Sequence, residues 1–396
     1  MSDTLVTSAA FAGMTDSPNL WGPYWDSVST AVITFLDAGA DMSFARTTDN
    51  GASWALTEID AGTTQGSAAW YDRETPGNTG TLVHLTWIDT LTDDVYYRTI
   101  DVSDASLGTQ RTVDGAITSG TLTTNRIGIA KAVNGTLGIC FLTPSELEFL
   151  TSTDSGANWT DRADVYEDVG QIDWCLLYPA DVDPGDFAAI YWDISANATS
   201  IKMFDSSADT GTGTWTETAI SGSMNDVNTH RNMDAAVQHS NNHIMLASFN
   251  HFNNSTNDLL TWELTVDSIA SPTVTARATI LTNDATAAGV GIFINQQNND
   301  VYVFYIAGTA VHSLLDCVYV VSTDGMVNFG IAQTYSEDTE DDLRDVHVGR
   351  TGGDDGFRIQ ATFINDDLND IFVNETNDVV VASAAAAVFT PRVMVY

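Results

Sequence analysis

Lysine is almost missing from this chain: Lys131 and Lys202 are the only two in 396 residues. Basic residues total 14 against 53 acids, a formal net charge of −39 that would repel a phosphate backbone and excludes nucleic acid as a partner. Glutamate is scarce too, with 10 copies against 43 of aspartate. Cysteine appears three times, at Cys140, Cys175 and Cys317, each inside an apolar run (GICFL, DWCLLY, DCVYVV). An odd count argues against a disulfide framework, so these are read as small buried hydrophobes. No apolar stretch reaches about 18 residues, so membrane insertion is not expected. The segment MSDTLVTSAAF has neither a basic region nor a sustained apolar run, so no signal peptide is expected. Apolar spacing of i, i+3, i+4 never persists beyond a turn or two, which excludes a helical bundle.

What is present suffices for a large core. Hydrophobic residues make up 43% of the chain and there are ten tryptophans, so wholesale disorder is excluded. The acids are dispersed rather than gathered in a tail. Such a surface suits concentrated salt, where the Debye length falls to about 3 Å and mutual repulsion is screened. Short hydrated carboxylates hold water there, whereas long lysine stems would expose carbon.

Two stretches, RTTDNGASW (46–54) and TSTDSGANW (151–159), repeat almost the same turn. Aligned on that turn, Asp49, Asp101, Asp154, Asp209, Asp267, Asp324 and Asp378 recur at separations of 52, 53, 55, 58, 57 and 54 residues. A period in this range means a solenoid or a propeller. Each unit holds four short β-rich runs broken by Gly, Asn, Asp and Ser, as in NRIGIAKAVNG, TLGICFLTPSE, LEFLTSTDSG and ANWTDRADVY. The expected fold is all-β, a seven-bladed propeller of four-stranded antiparallel blades. The blades are placed at 12–61, 66–116, 124–169, 171–222, 230–284, 288–336 and 343–381. Residues 3–11 are expected to close the last blade, in preference to VVVASAAAAVF, leaving 382–396 as a tail or attachment segment.

Within the turn, a short Asp accepts backbone N–H groups, Gly supplies a positive φ, and the aromatic packs between sheets. Two copies are complete: Thr47, Asp49, Gly51, Trp54, and Ser152, Asp154, Gly156, Trp159. STDGMVNF keeps Ser322, Asp324 and Phe329 but moves its glycine to Gly325. SADTGTGTW keeps Asp209 and Trp215 with one residue inserted. On these residues the chain resembles the Asp-box (BNR, sialidase-like) β-propeller superfamily. The resemblance implies that the motif is structural and lies on the face opposite the usual ligand site. The Asp-rich, Lys-poor composition resembles structural proteins of haloarchaeal viruses.

Ligand contacts are expected on the face where inter-blade loops meet the loops between second and third strands. Trp21, Tyr24 and Trp25 there offer faces for sugar stacking, and Trp192, His230, Arg231, Asn232 and His251 would complete the platform. For each aromatic taken alone, blade packing is the competing role. The sialidase side of the resemblance implies an arginine clamp and a Tyr–Glu nucleophile. Arg126, Arg231 and Arg344 begin inner strands of alternate blades, and Tyr166 adjoins Glu167. The family's Phe-Arg-Ile-Pro motif is absent, and ion pairing with surplus acids explains the arginines as well.

No catalytic residue, metal site or cofactor is assigned: no short His-x-His or HExxH motif occurs, and calcium on Asp354 and Asp355 would be unspecific in so acidic a chain. Taken together, these features lead to the expectation of a non-enzymatic virion surface protein of a halophilic archaeal virus, a turret, spike or tail-fibre component. It would be assembled in the host cytoplasm beside other virion proteins in a symmetric homo-oligomer, and would bind a host-surface glycan or glycoprotein. The alternatives are a sialidase-like glycoside hydrolase and a ligand-free decoration protein.

Overall fold

The computed structural model describes residues 3–10, 19–62, 64–115, 117, 127–143, 146–166, 172–180, 183–193, 198–207, 215–221, 233–250, 257–284, 288–308, 315–336, 343–352, 359–365 and 370–375. They form seven antiparallel sheets and, among the described residues, no α-helix; one 3-10 turn spans Asp72–Glu74. The inner strands are Trp21–Trp25, Thr64–Tyr71, Ile127–Lys131, Ile172–Pro179, Met233–Gln238, Ala288–Asn295 and Leu343–Val348. Each packs against the next, and the seventh packs against the first, so the sheets close into a ring. The fold is a seven-bladed β-propeller.

Blade two shows how sequence sets position. Its second strand, LVHLTWID (Leu82–Asp89), is buried along nearly its whole length. A middle strand is covered on both faces by neighbouring blades, so it reads as an apolar run rather than an alternation. Outer strands change character: Ala55–Asp60 of blade one, ALTEID, is mostly exposed and polar.

Blade seven is built from both ends of the chain. Leu343–Val348, Gln360–Asn365 and Asp370–Glu375 are joined by Thr4–Thr7 as the outer strand, with Thr4 opposite Val373. The N-terminal strand thus closes the ring, as expected; residues 376–396, including the tail, lie outside the described residues. Two additions depart from four strands per blade. Leu281–Asp284 pairs with the third strand of blade five, and Thr351–Gly352 of blade seven runs parallel to the inner strand of blade six.

The repeated turns share one hydrogen-bond set. Thr47, Ser152 and Ser322 each donate a hydroxyl to the aspartate two residues on, at 2.8, 2.9 and 2.9 Å. The same hydroxyl accepts the backbone N–H of Gly51, Gly156 or Met326. Asp49, Asp154 and Asp324 then accept the backbone N–H and the side chain of Ser53, Asn158 and Asn328. The side-chain bond from Asn158, then its backbone bond, holds the Asp154 carboxyl down to about 2. Two consecutive residues take positive φ in each turn: Asn50 and Gly51, Ser155 and Gly156, Gly325 and Met326. The displaced glycine of the third copy has moved to the first of these two places, and buried Met326 occupies the second.

Each turn docks on the preceding blade. Trp159 meets Tyr97 of blade two edge-on at 5.4 Å, Gly51 lies beside Gln360 of blade seven, and Met326 O accepts Ala278 N of blade five. Asp209 lies outside the described residues, but Trp215 docks likewise, donating Nε1–H to Ala163 O at 2.8 Å.

Candidate functional site

Antiparallel order puts the turns after first and third strands at one end of the ring and all other connections at the opposite end. The Asp turns belong to the first end. Asp72–Glu74 and Arg350, which follow inner strands, belong there too.

Arg350 reaches across the axis. Its Nε lies 3.2 Å from Asp234 Oδ1 of blade five and its Nη1 3.7 Å from Glu74 Oε2 of blade two. Its guanidinium carbon stands 5.3 Å from the Trp21 ring centroid of blade one and 5.7 Å from that of Tyr178 of blade four. The backbone carbonyl of Arg350 accepts Ile294 N of blade six. A residue of blade seven that touches blades one, two, four, five and six stands on the axis, so the channel there is filled. Flat aromatic faces suit a guanidinium, which is weakly hydrated and delocalised.

The charges of this plug do not cancel, because two carboxylates share one guanidinium. Asp234 Oδ2 accepts Ile292 N at 3.1 Å, and Glu74 Oε2 accepts Tyr71 N at 3.1 Å. Burial pushes the Glu74 carboxyl up to about 7; Arg350 opposes that rise and Asp234 adds to it. Between its ordinary pKa and about 7 the folded protein therefore holds a proton that the unfolded chain has lost. Stability contributed by protonated Glu74 is present at low pH and falls as pH rises through that window, by about 3 kcal/mol in all. Glu74→Gln should remove this part of the decline, which thermal melts from pH 4.5 to 7.5 at constant ionic strength would detect.

A second buried cluster joins blades two and three at the same end. Asp72 Oδ1 lies 3.0 Å from His84 Nε2 and 2.5 Å from Lys131 Nζ, while His84 Nδ1 lies 2.7 Å from the Tyr97 hydroxyl. Burial works against the Asp72 carboxylate, but His84 and Lys131 outweigh it and hold the carboxyl at about 2. Burial lowers the His84 pKa, with Asp72 opposing, and the ring links the Tyr97 hydroxyl to the Asp72 carboxyl through its two nitrogens. One of the two lysines is thus spent inside the protein. Thr75 donates to Lys131 O, and His239 Nε2 lies 3.3 Å from Glu74 O, so the 72–75 segment ties blades three and five to blade two.

The aromatic residues expected to stack on sugars are mostly interior. Trp21 and Tyr24 are 2% and 1% exposed, and Trp192 is 2% exposed. Trp21 opens its strand and half-buried Trp25 ends it. Trp21 donates Nε1–H to Ser67, and its ring meets His347 edge-on at 5.0 Å. His230, Arg231, Asn232 and His251 lie outside the described residues, as do Arg126, Glu167, Asp354 and Asp355. Arg344 is on the inner strand of blade seven. The Tyr166 hydroxyl donates to Asp193 at 3.0 Å and its ring carries the Lys202 ammonium at 4.5 Å, an arrangement that ties blade three to blade four.

Asp183, Asp186 and Asp205 bring carboxylate oxygens within 4.8 Å of one another. Both Asp186 oxygens already accept local donors, from Ser206 and Asp183. Arg350, Glu74, Asp234, Asp72 and His84 were not singled out from the sequence. Glu74 and Asp234 are two among 53 acids, and nothing local marks them.

No protein-family model matches this chain, and no curated protein matches it in sequence. Solved structures with a similar course include AofleA from Arthrobotrys oligospora, at 12% identity and TM-score 0.46 over 84% of this chain and 87% of that one. The Hadza microbial sialidase Hz136 is 10% identical with TM-score 0.47, over 89% of this chain and 75% of its own. Polysaccharide lyase Uly1 is 10% identical with TM-score 0.45, over 81% of each chain. Likeness at this level carries no argument about ligand or activity, and the propeller assignment rests on this chain's own strands.

Proposed function

We propose that the protein is a salt-adapted recognition propeller on the virion surface of a halophilic archaeal virus, which binds a host-surface glycan or glycoprotein without turning it over. The observation that carries this reading is the filled axis. With Arg350, Glu74 and Asp234 packed between Trp21 and Tyr178, the axis is closed at the end that carries the Asp turns, which leaves ligand contacts to the opposite face and the rim, a broad surface suited to recognition. We read the three stapled turns as Asp boxes, whose role is to hold blades together. Salt adaptation is supported by the crowding of like charge. Burial first, then Asp114, Glu146, Asp164 and Asp161, pushes the half-buried Glu148 carboxyl up to about 8. Counter-ions at molar concentration relieve such crowding.

Fluorescently labelled protein should bind haloarchaeal cells and their surface-layer glycoprotein in molar salt, and glycosidase treatment of the cells should abolish that binding. Its melting temperature should rise by on the order of 10 °C or more between dilute and molar salt. Absence of binding would end the recognition reading. Turnover of a fluorogenic sialoside or aryl glycoside under the same conditions would replace it with a glycoside hydrolase.

A further inference from the structure

Cys140 lies on the second strand of blade three, Leu137–Leu142, and Cys175 on the inner strand of blade four, Ile172–Pro179. They are 35 residues apart in the chain, yet their Sγ atoms are 2.7 Å apart, with both residues essentially without solvent exposure. Gly128 on the inner strand of blade three leaves the space in which they meet. A Cβ there would stand 3.1 Å from Cys140 Sγ and 3.2 Å from the Cys175 carbonyl oxygen. Thus two cysteines that read as separate buried hydrophobes are brought face to face across a blade seam. Cys317 is buried in blade six, away from both.

We propose that Cys140 and Cys175 are a modification site, closing into an inter-blade disulfide by exchange with a small-molecule or protein disulfide. One cysteine thiolate attacks the oxidant's S–S bond, forming a mixed disulfide and expelling the first thiolate. The second cysteine thiolate attacks the sulfur of its neighbour, forming the Cys140–Cys175 bond and expelling the second thiolate. Two protein thiols are oxidised, one disulfide is reduced to two thiols, and the two protons leave with them. Burial raises the Cys175 thiol well above its ordinary range, and contact with Cys140 adds to this. Thiolate is therefore scarce in the closed ring, and the bond forms while blades three and four are docking. Once formed it is shielded from reductants by the same packing.

The test uses the whole chain, folded in a glutathione buffer rich in the oxidised form, with native β circular dichroism. Free thiols are alkylated under denaturing conditions and the protein is cut with trypsin without reduction. The few basic residues place Cys140 in fragment 132–162, Cys175 in 163–202 and Cys317 in 278–344. The expected product is 132–162 joined to 163–202 at their combined mass less two hydrogens, with alkylation at Cys317 alone. Reduction should then lower the melting temperature by about 5 °C. Alkylation of all three cysteines in the oxidised, folded protein overturns the proposal. A linkage through Cys317 overturns it as well.

Discussion

Replacing Arg350 with methionine should destabilise the propeller by about 3–5 kcal/mol, although methionine fills much of the same volume. The cost comes from what remains: Asp234, 0% exposed, keeps a charge that has lost its guanidinium, while Glu74, 2% exposed and without the Arg350 charge that opposed its rise, sheds its own charge by taking up a proton. A buried ion pair adds little over an apolar replacement of equal shape, but removing one partner strands the other's charge. Arg350→Met combined with Asp234→Asn and Glu74→Gln should therefore recover much of the loss. Denaturant unfolding of the two variants at pH 7 in molar salt checks this. A single variant within 1 kcal/mol of wild type would mean that the plug does not bind the blades together.

The second large effect separates two glycines that look alike in sequence. Gly51 and Gly156 both have φ of +82°. Alanine at either place pays about 1 kcal/mol for left-handed backbone. At Gly51 nothing else follows, since the nearest neighbour to a new Cβ is 3.7 Å away. At Gly156 the new Cβ would stand 2.1 Å from Cε1 of Tyr97. That ring cannot retreat, because Trp159 packs on it and its hydroxyl is held by His84. Gly156→Ala should cost about 3–4 kcal/mol against about 1 for Gly51→Ala, read from denaturant midpoints. Equal losses would show that Tyr97 is not locked.

The blades were legible because a repeat averages away local ambiguity. The Asp turns could be found because short-range hydrogen bonds demand particular side chains at fixed offsets. Even the irregular copy follows this logic: the turn needs two left-handed residues, and STDGMVNF puts its glycine at the first of them. The segment WGPYW misled for an equally physical reason. Gly, Pro and the flanking Asn read as a loop presenting aromatic rings, yet the segment is a strand with a register shift between Trp21 and Tyr24. An inner strand of a closed ring is covered by its neighbours, so its aromatics pack inward. The axis cluster had no local signature at all. Arg350 meets Asp234 at a separation of 116 residues and Glu74 at 276. Only ring closure makes them neighbours.

The strand Thr4–Thr7 has a further consequence, for quality control. Its partner is Asp370–Glu375, so no partial product that stops before blade seven can cover it. Such a product leaves Thr4–Thr7 without its partner strand and exposes the apolar faces of blades one and six on which blade seven would pack, and bare strands and apolar faces recruit other chains. A finished chain buries both at once. Completeness is thereby checked by the fold itself: whole copies close the ring, and shortened ones are left sticky and open to proteolysis.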